Sequence, residues 1–107
     1  MESQVFDFEI LKQSPEFGMK NYNEAVYRGE LANGKREGLG VMQYRKARVY
    51  EGEWRNDQRN GRGMERYSNG NRYEGDFSNG KPHGNGVYSW ANGEVYEGEW
   101  DKGLKQG

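Results

Sequence analysis

Tyr50-Glu51-Gly52-Glu53-Trp54 decides the fold, because it does not occur alone. It returns as Tyr73-Glu74-Gly75-Asp76-Phe77 and Tyr96-Glu97-Gly98-Glu99-Trp100, and in looser form as Tyr27-Arg28-Gly29-Glu30-Leu31. The leading tyrosines fall at 27, 50, 73 and 96, a constant step of 23 residues with no insertion or deletion. A fixed period of this length marks a repeat array in which each unit is one small supersecondary element.

Within the stretch, Tyr, Gly and the second aromatic alternate with acids. On a strand this places Tyr50, Gly52 and Trp54 on one face and Glu51 and Glu53 on the other. The Gly between two aromatics is expected to leave room for a ring of the neighbouring unit. A turn of about six residues should follow, as in Asn33-Gly34-Lys35-Arg36-Glu37 or Asn79-Gly80-Lys81-Pro82-His83. A second strand then carries Gly38-x-Gly40, Gly61-x-Gly63 or Gly84-x-Gly86, and ends in Tyr44, Tyr67 or Trp90. The chain returns through Ser68-Asn69-Gly70-Asn71 or Ala91-Asn92-Gly93-Glu94, where Asn-Gly supplies the positive φ of tight hairpins. In the first unit that return is Arg45-Lys46-Ala47-Arg48, which lacks glycine and should differ in geometry. Each unit reads as a β-hairpin.

One hairpin cannot bury its apolar face, so the units must pair edge to edge. Residues 17–107 then form the repeat domain: a half unit at 17–26, full units at 27–49, 50–72 and 73–95, and a partial unit at 96–107. With strands about 4.8 Å apart, four units make a rod of about 40 Å. Residues 1–16 lie outside the repeat. Phe6, Phe8 and Ile10 alternate with Asp7 and Glu9, the pattern of a half-buried strand capping the first unit, and Ser14-Pro15 ends it.

Composition limits the functional classes. The apolar fraction is 32% and mean hydropathy −1.30, so disorder has to be weighed; the strict period and 14% aromatics argue for a folded, ring-based core. A net charge of −1 gives no overall attraction to nucleic acid or anionic membrane. With no cysteine there are no disulfides, no thiol chemistry and no cysteine-ligated zinc. Lacking an apolar run for a membrane span and an N-terminal signal pattern, the chain is expected to be a soluble cytoplasmic protein.

The pattern Tyr-x-Gly-x-Trp/Phe, a turn, then Gly-x-x-x-Gly-x-Gly at this period resembles the MORN (membrane occupation and recognition nexus) repeat over residues 27–107. Leu31 departs from its aromatic fifth position and Asp57 from its glycine eighth, which should change the shape of those turns. The resemblance implies an all-β array of stacked β-hairpins forming one elongated, twisted, open-ended antiparallel sheet. It implies no catalytic residues and no cofactor. MORN arrays serve cytoskeletal and ciliary scaffolds, membrane junctions, and targeting modules of phosphoinositide kinases and a SET-domain methyltransferase. The expectation is therefore a non-catalytic adaptor within a larger assembly, cytoskeletal or ciliary. The alternatives are phosphoinositide-dependent membrane recruitment, or targeting of an enzyme domain beyond residue 107.

A single-layer sheet has no opposing layer, so part of the aromatic face should stay open as a groove for an amphipathic helix or extended peptide. Its expected lining is Tyr27, Tyr44, Tyr50, Trp54, Tyr67, Tyr73, Phe77, Trp90, Tyr96 and Trp100. Lys35, Arg36 and Lys81 at one turn edge are the candidate contacts to anionic lipid. The acids at positions two and four of each unit read as a solvated face, or as a long stripe for a basic partner. Two GxxxxGK matches, Gly29–Lys35 and Gly75–Lys81, are products of the repeat: no Ser or Thr follows to hold magnesium, and no helix follows to meet phosphate. His83 reads as a solvated turn residue without a catalytic partner. The two edges of an open sheet also make dimers conceivable.

Overall fold

Asn33-Gly34 and Asn79-Gly80 take up positive φ at both residues, as do Asn56-Asp57 and Lys102-Gly103. Two consecutive residues of this kind make a type I′ turn, whose twist matches that of the flanking strands. The turn between the two strands of a unit is thus two residues long, not six. The residues expected to prolong it, Lys35 to Glu37 in the first unit, already belong to the second strand.

The computed structural model describes residues 6–106. It contains a short helix, α1 (Phe8–Leu11), and the strands β1 (Phe17–Tyr22), β2 (Ala25–Ala32), β3 (Lys35–Tyr44), β4 (Val49–Arg55), β5 (Gln58–Arg66), β6 (Arg72–Ser78), β7 (Lys81–Ser89), β8 (Val95–Asp101) and β9 (Leu104–Gln106). Among the described residues these strands form one antiparallel sheet in chain order from β1 to β9. The long axis measures 41 Å, in accord with two strands per unit.

Every full unit carries the same irregularity. Gly52 pairs with Gly63 and Trp54 with Arg59, so Glu53 alone faces Asn60, Gly61 and Arg62. Gly61 sits at φ 98°, a left-handed conformation that admits this bulge. The acid at position four closes it. Glu53 Oε2 accepts the Arg62 N–H at 2.7 Å, Asp76 Oδ2 the Asn85 N–H at 3.0 Å, and Glu30 Oε1 the Leu39 N–H at 2.8 Å. These acids, read from sequence as a solvated face, are backbone caps for a distorted ladder.

The two kinds of return turn do differ. In Arg45–Arg48, Lys46 and Ala47 both have positive φ, at 57° and 63°. In Ser68–Asn71 only Gly70 does, and Asn69 contributes through Oδ1, which accepts the Asn71 N–H at 3.0 Å. The expectation that Asn-Gly supplies the positive φ of these return turns holds for Gly70 and Gly93 alone, not for Asn69 or Asn92.

Residues 8–11 form a helical turn, not the expected strand. Asp7 caps it by accepting the Glu9 N–H at 2.9 Å. The alternation of Phe6, Phe8 and Ile10 misled because only Leu11 is fully buried and Ile10 stays 65% exposed. A capping Asp followed by a single apolar anchor satisfies one helical turn without a two-residue period. The part of the capping-strand expectation that falls on residues 1–5 lies outside the described residues.

Candidate protein-interaction face

On the aromatic face, Tyr27, Met42, Tyr50, Glu65, Tyr73, Tyr88 and Tyr96 form one transverse row across successive strands. The glycines lie beside them in a parallel row. Each leading tyrosine folds its ring over the glycines of its own hairpin. A Cβ added at Gly63 would stand 2.3 Å from Tyr50 Oη, and one at Gly86 would stand 2.2 Å from Tyr73 Oη. The space at glycine is therefore filled by the same unit's tyrosine, which corrects the expectation of a neighbouring unit's ring. The tyrosine hydroxyl then donates to the carbonyl at position four: Tyr27 to Glu30 O, Tyr50 to Glu53 O and Tyr73 to Asp76 O, at 2.7–2.9 Å.

The second aromatic links the units. Trp54 meets Tyr27 and Tyr50 edge to face, Phe77 meets Tyr50 and Tyr73, and Trp100 meets Tyr73 and Tyr96. Centroids stand 5.0–5.5 Å apart, a geometry in which each pair contributes about 0.5–1.5 kcal/mol beyond area burial. Burial pushes the Tyr27, Tyr50 and Tyr67 phenols well above their ordinary range, and that of Tyr73 up to about 12.

This ladder consumes most of the expected groove. Tyr27, Tyr50 and Tyr73 are fully buried, and Trp54, Phe77 and Trp100 are buried behind them. They form the core, so the expectation that all ten rings line a groove is corrected: these six face neighbouring rings and are out of reach of a partner. Tyr44, Tyr67, Trp90 and Tyr96 remain half-buried. Three of the four gather in the C-terminal half with Tyr88. Tyr88 stacks on Tyr67 at 5.8 Å and leans on Trp90 at 4.7 Å and on Trp100 at 5.6 Å. Lys105 Nζ lies over Tyr96 at 5.0 Å and over Trp90 at 6.0 Å. Asn71 Nδ2 donates to Tyr88 Oη at 3.1 Å on the rim. Sequence reading missed Tyr88 because its position holds Met42 and Glu65 in the other units, so no recurrence flags it.

Glu65, at that same position, is the unusual member of the row. It is 1% exposed among rings, yet it holds two cations, Arg48 Nε at 2.7 Å and Arg59 Nη1 at 2.6 Å. Arg59 lies 5.4 Å from both Tyr50 and Phe77 and also donates to Gly80 O of the next unit. Arg48 and Arg59 thus neutralise a charge that the apolar face could not otherwise hold.

Among the lipid candidates, Lys35 and Lys81 are exposed, but Arg36 is not free. Its Nε bonds Asp57 Oδ1 at 2.6 Å and its Nη2 bonds Asp57 O at 2.8 Å, while its guanidinium covers Trp54 at 4.6 Å. That corrects the three-residue basic edge to two lysines two hairpins apart. The same pairing explains Asp57: with φ 69° it keeps the I′ turn, and its carboxylate supplies a link that glycine lacks. His83 Nδ1 stands 3.3 Å from Asp101 Oδ1 on the next hairpin, at half exposure. Both GxxxxGK stretches end in I′ turns that run straight into strands.

The model of the MORN repeat family matches residues 27–46, 50–72, 73–95 and 96–107, so the chain belongs to the MORN repeat family. A search of curated proteins returned no match. MORN repeats are protein- or membrane-interaction motifs, and the family is a non-enzymatic repeat.

Proposed function

We propose that the chain is a non-catalytic adaptor that docks an amphipathic segment of a partner protein on its aromatic face, within a larger cytoskeletal or ciliary assembly in the cytoplasm. The observation that carries this reading is the half-exposed cluster of Tyr67, Tyr88, Trp90 and Tyr96. Half-buried aromatics in a contiguous group offer large area at low entropic cost, which is how interface anchors work. The docked segment would lie across the rings, with Lys105 and Asn71 at the border.

The test is capture from ciliated cells by the full chain and by a Tyr67→Ser/Trp90→Ser variant, with identification by mass spectrometry. Near-ultraviolet circular dichroism establishes that the variant is folded. Loss of the same set of proteins supports the reading; undiminished capture by a folded variant overturns it. A flotation assay with phosphoinositide-containing vesicles runs beside it. Recovery that depends on Lys35 and Lys81 would replace protein docking by membrane recruitment.

A further inference from the structure

Ser14-Pro15, at the end of the N-terminal segment, is a motif that the aromatic face does not use. Ser14 lies at the bend between α1 and β1. Its hydroxyl is engaged twice: Oγ donates to Glu30 Oε2 at 2.8 Å and accepts the Glu16 N–H at 3.2 Å. Its backbone is engaged as well. The Ser14 N–H donates to Leu11 O and its carbonyl accepts the Phe17 N–H, both at 3.0 Å. Ser14 therefore ties the end of α1 to β2 and to the start of β1.

α1 is lightly held on the side of the sheet away from the rings. Of its residues only Leu11 is fully buried, and Phe8 meets Phe17 edge to face at 6.0 Å. A depression of about 450 Å³ opens beside it, lined by Ile10, Leu11, Ser14, Glu30 and Leu39. A segment with so little buried surface opens locally far more often than the domain unfolds. Charge around the bend is one-sided. Asp7, Glu9 and Glu16 stand on the segment itself and Glu30 faces it, while Lys12 is already paired with Glu9 at 2.8 Å. Glu30 is not free to swing aside, because its Oε1 accepts the Leu39 N–H at 2.8 Å and closes the bulge of the first unit.

We infer that Ser14 is a phosphorylation site for a proline-directed protein kinase, and that the phosphate releases α1 from the sheet. Pro15 directly after the serine biases it towards extended backbone, the form in which such a kinase takes its substrate. Gln13, Pro15 and Glu16 around it are exposed, and local opening of the bend delivers the hydroxyl. Ser14 Oγ attacks the γ-phosphorus of ATP, the bond from that phosphorus to the β–γ bridging oxygen breaks, ADP leaves, and the hydroxyl proton passes to the kinase's base. The product carries about −1.5 to −2 charges at neutral pH. Its ester oxygen has no proton to give Glu30, so a donor and its acceptor become two facing anions. Ser14 combines the placements in which a phosphate disrupts: past the C-terminal end of a helical turn, beside carboxylates and at an apolar contact. Re-seating of α1 is then opposed, and the depression beside Leu39 stays open.

The experiment incubates the full chain with a proline-directed kinase and ATP, locates phosphate by mass spectrometry and follows amide hydrogen exchange by NMR. Ser14 should be phosphorylated, and Pro15→Ala should slow this about ten-fold. In the phosphorylated chain the Leu11 and Lys12 N–H groups, which bond Asp7 O and Phe8 O, should exchange about ten-fold faster, with β5 unchanged. Ser14→Ala loses the hydroxyl but gains no charge, and should speed that exchange no more than about three-fold. Glu30→Gln removes the facing charge and keeps an acceptor for the Leu39 N–H, so phosphate on this variant should change the exchange by less than about three-fold. Absence of phosphate from Ser14 overturns the inference. Exchange unaltered by the phosphate overturns it too, as does release of α1 equally large in Ser14→Ala or in phosphorylated Glu30→Gln.

Discussion

Asp57 holds Arg36 across the junction between two repeat units, with Oδ1 accepting from both the Arg36 backbone N–H at 3.0 Å and its Nε at 2.6 Å. The Asp57 N–H in return donates to Arg36 O at 3.0 Å. That last bond recurs wherever a unit follows another, from Gly80 to Arg59 O and from Gly103 to Pro82 O. The side-chain clamp is special to this junction.

Asp57→Asn keeps a residue that tolerates positive φ and removes the charge. It should cost about 1–2 kcal/mol at neutral pH, at the lower end for a charged bond because the pair is partly solvated. The bond from Arg36 holds the Asp57 carboxyl below its ordinary 3.8. A carboxyl depressed in the folded state contributes stability above its unfolded pKa and loses it as pH falls through the folded value. The gap between wild type and variant, measured by urea unfolding, should therefore be constant above about pH 5 and close progressively below pH 4.

Glu65→Ala should be more severe, about 3 kcal/mol or beyond, because it leaves two guanidinium groups facing a cavity among rings. Glu65→Met combined with Arg48→Met should regain most of the loss. The first unit already places Met42 at this position, and Arg59 keeps its bond to Gly80 O. Thermal melts of the single and double variants check it; equal Tm for both would refute the charge argument.

Gly86→Ala should cost about 3 kcal/mol, since its Cβ meets the Tyr73 ring, whose hydroxyl is tied to Asp76 O. Gly93→Ala meets nothing within 4 Å and bears only the strain of φ 99°, about 1–2 kcal/mol. Guanidinium unfolding separates them. Absorbance titration adds a second reading: expelling the ring should lower Tyr73 from about 12 towards 10.

Much was legible without coordinates. Recurrence separated Tyr50, Gly52 and Trp54 from Glu51 and Glu53, and the step of 23 residues led to hairpins and to a long axis near 40 Å. What failed did so for local reasons. Asn-Gly does not say whether both residues or one turns left-handed, so the six-residue turn was in fact two residues and a continuing strand. Acids at position four looked wet because alternation cannot anticipate a bulge that leaves Leu39, Arg62 and Asn85 N–H groups needing acceptors. The groove was overdrawn because a ring that folds back on its own glycine looks, in sequence, like a ring facing outward. Tyr88 and Glu65 escaped because neither repeats.

The sequence by itself determined the unit, its hairpin and the division of each strand into a ring-bearing and an acid-bearing side, since periodicity carries those directly. Only the tertiary structure decided which rings are interior, which cation is already spent on Asp57, and where α1 lies. Those outcomes depend on contacts between separate elements, such as Ser14 with Glu30 and Arg36 with Asp57, whose geometry is set by how one element settles on the next.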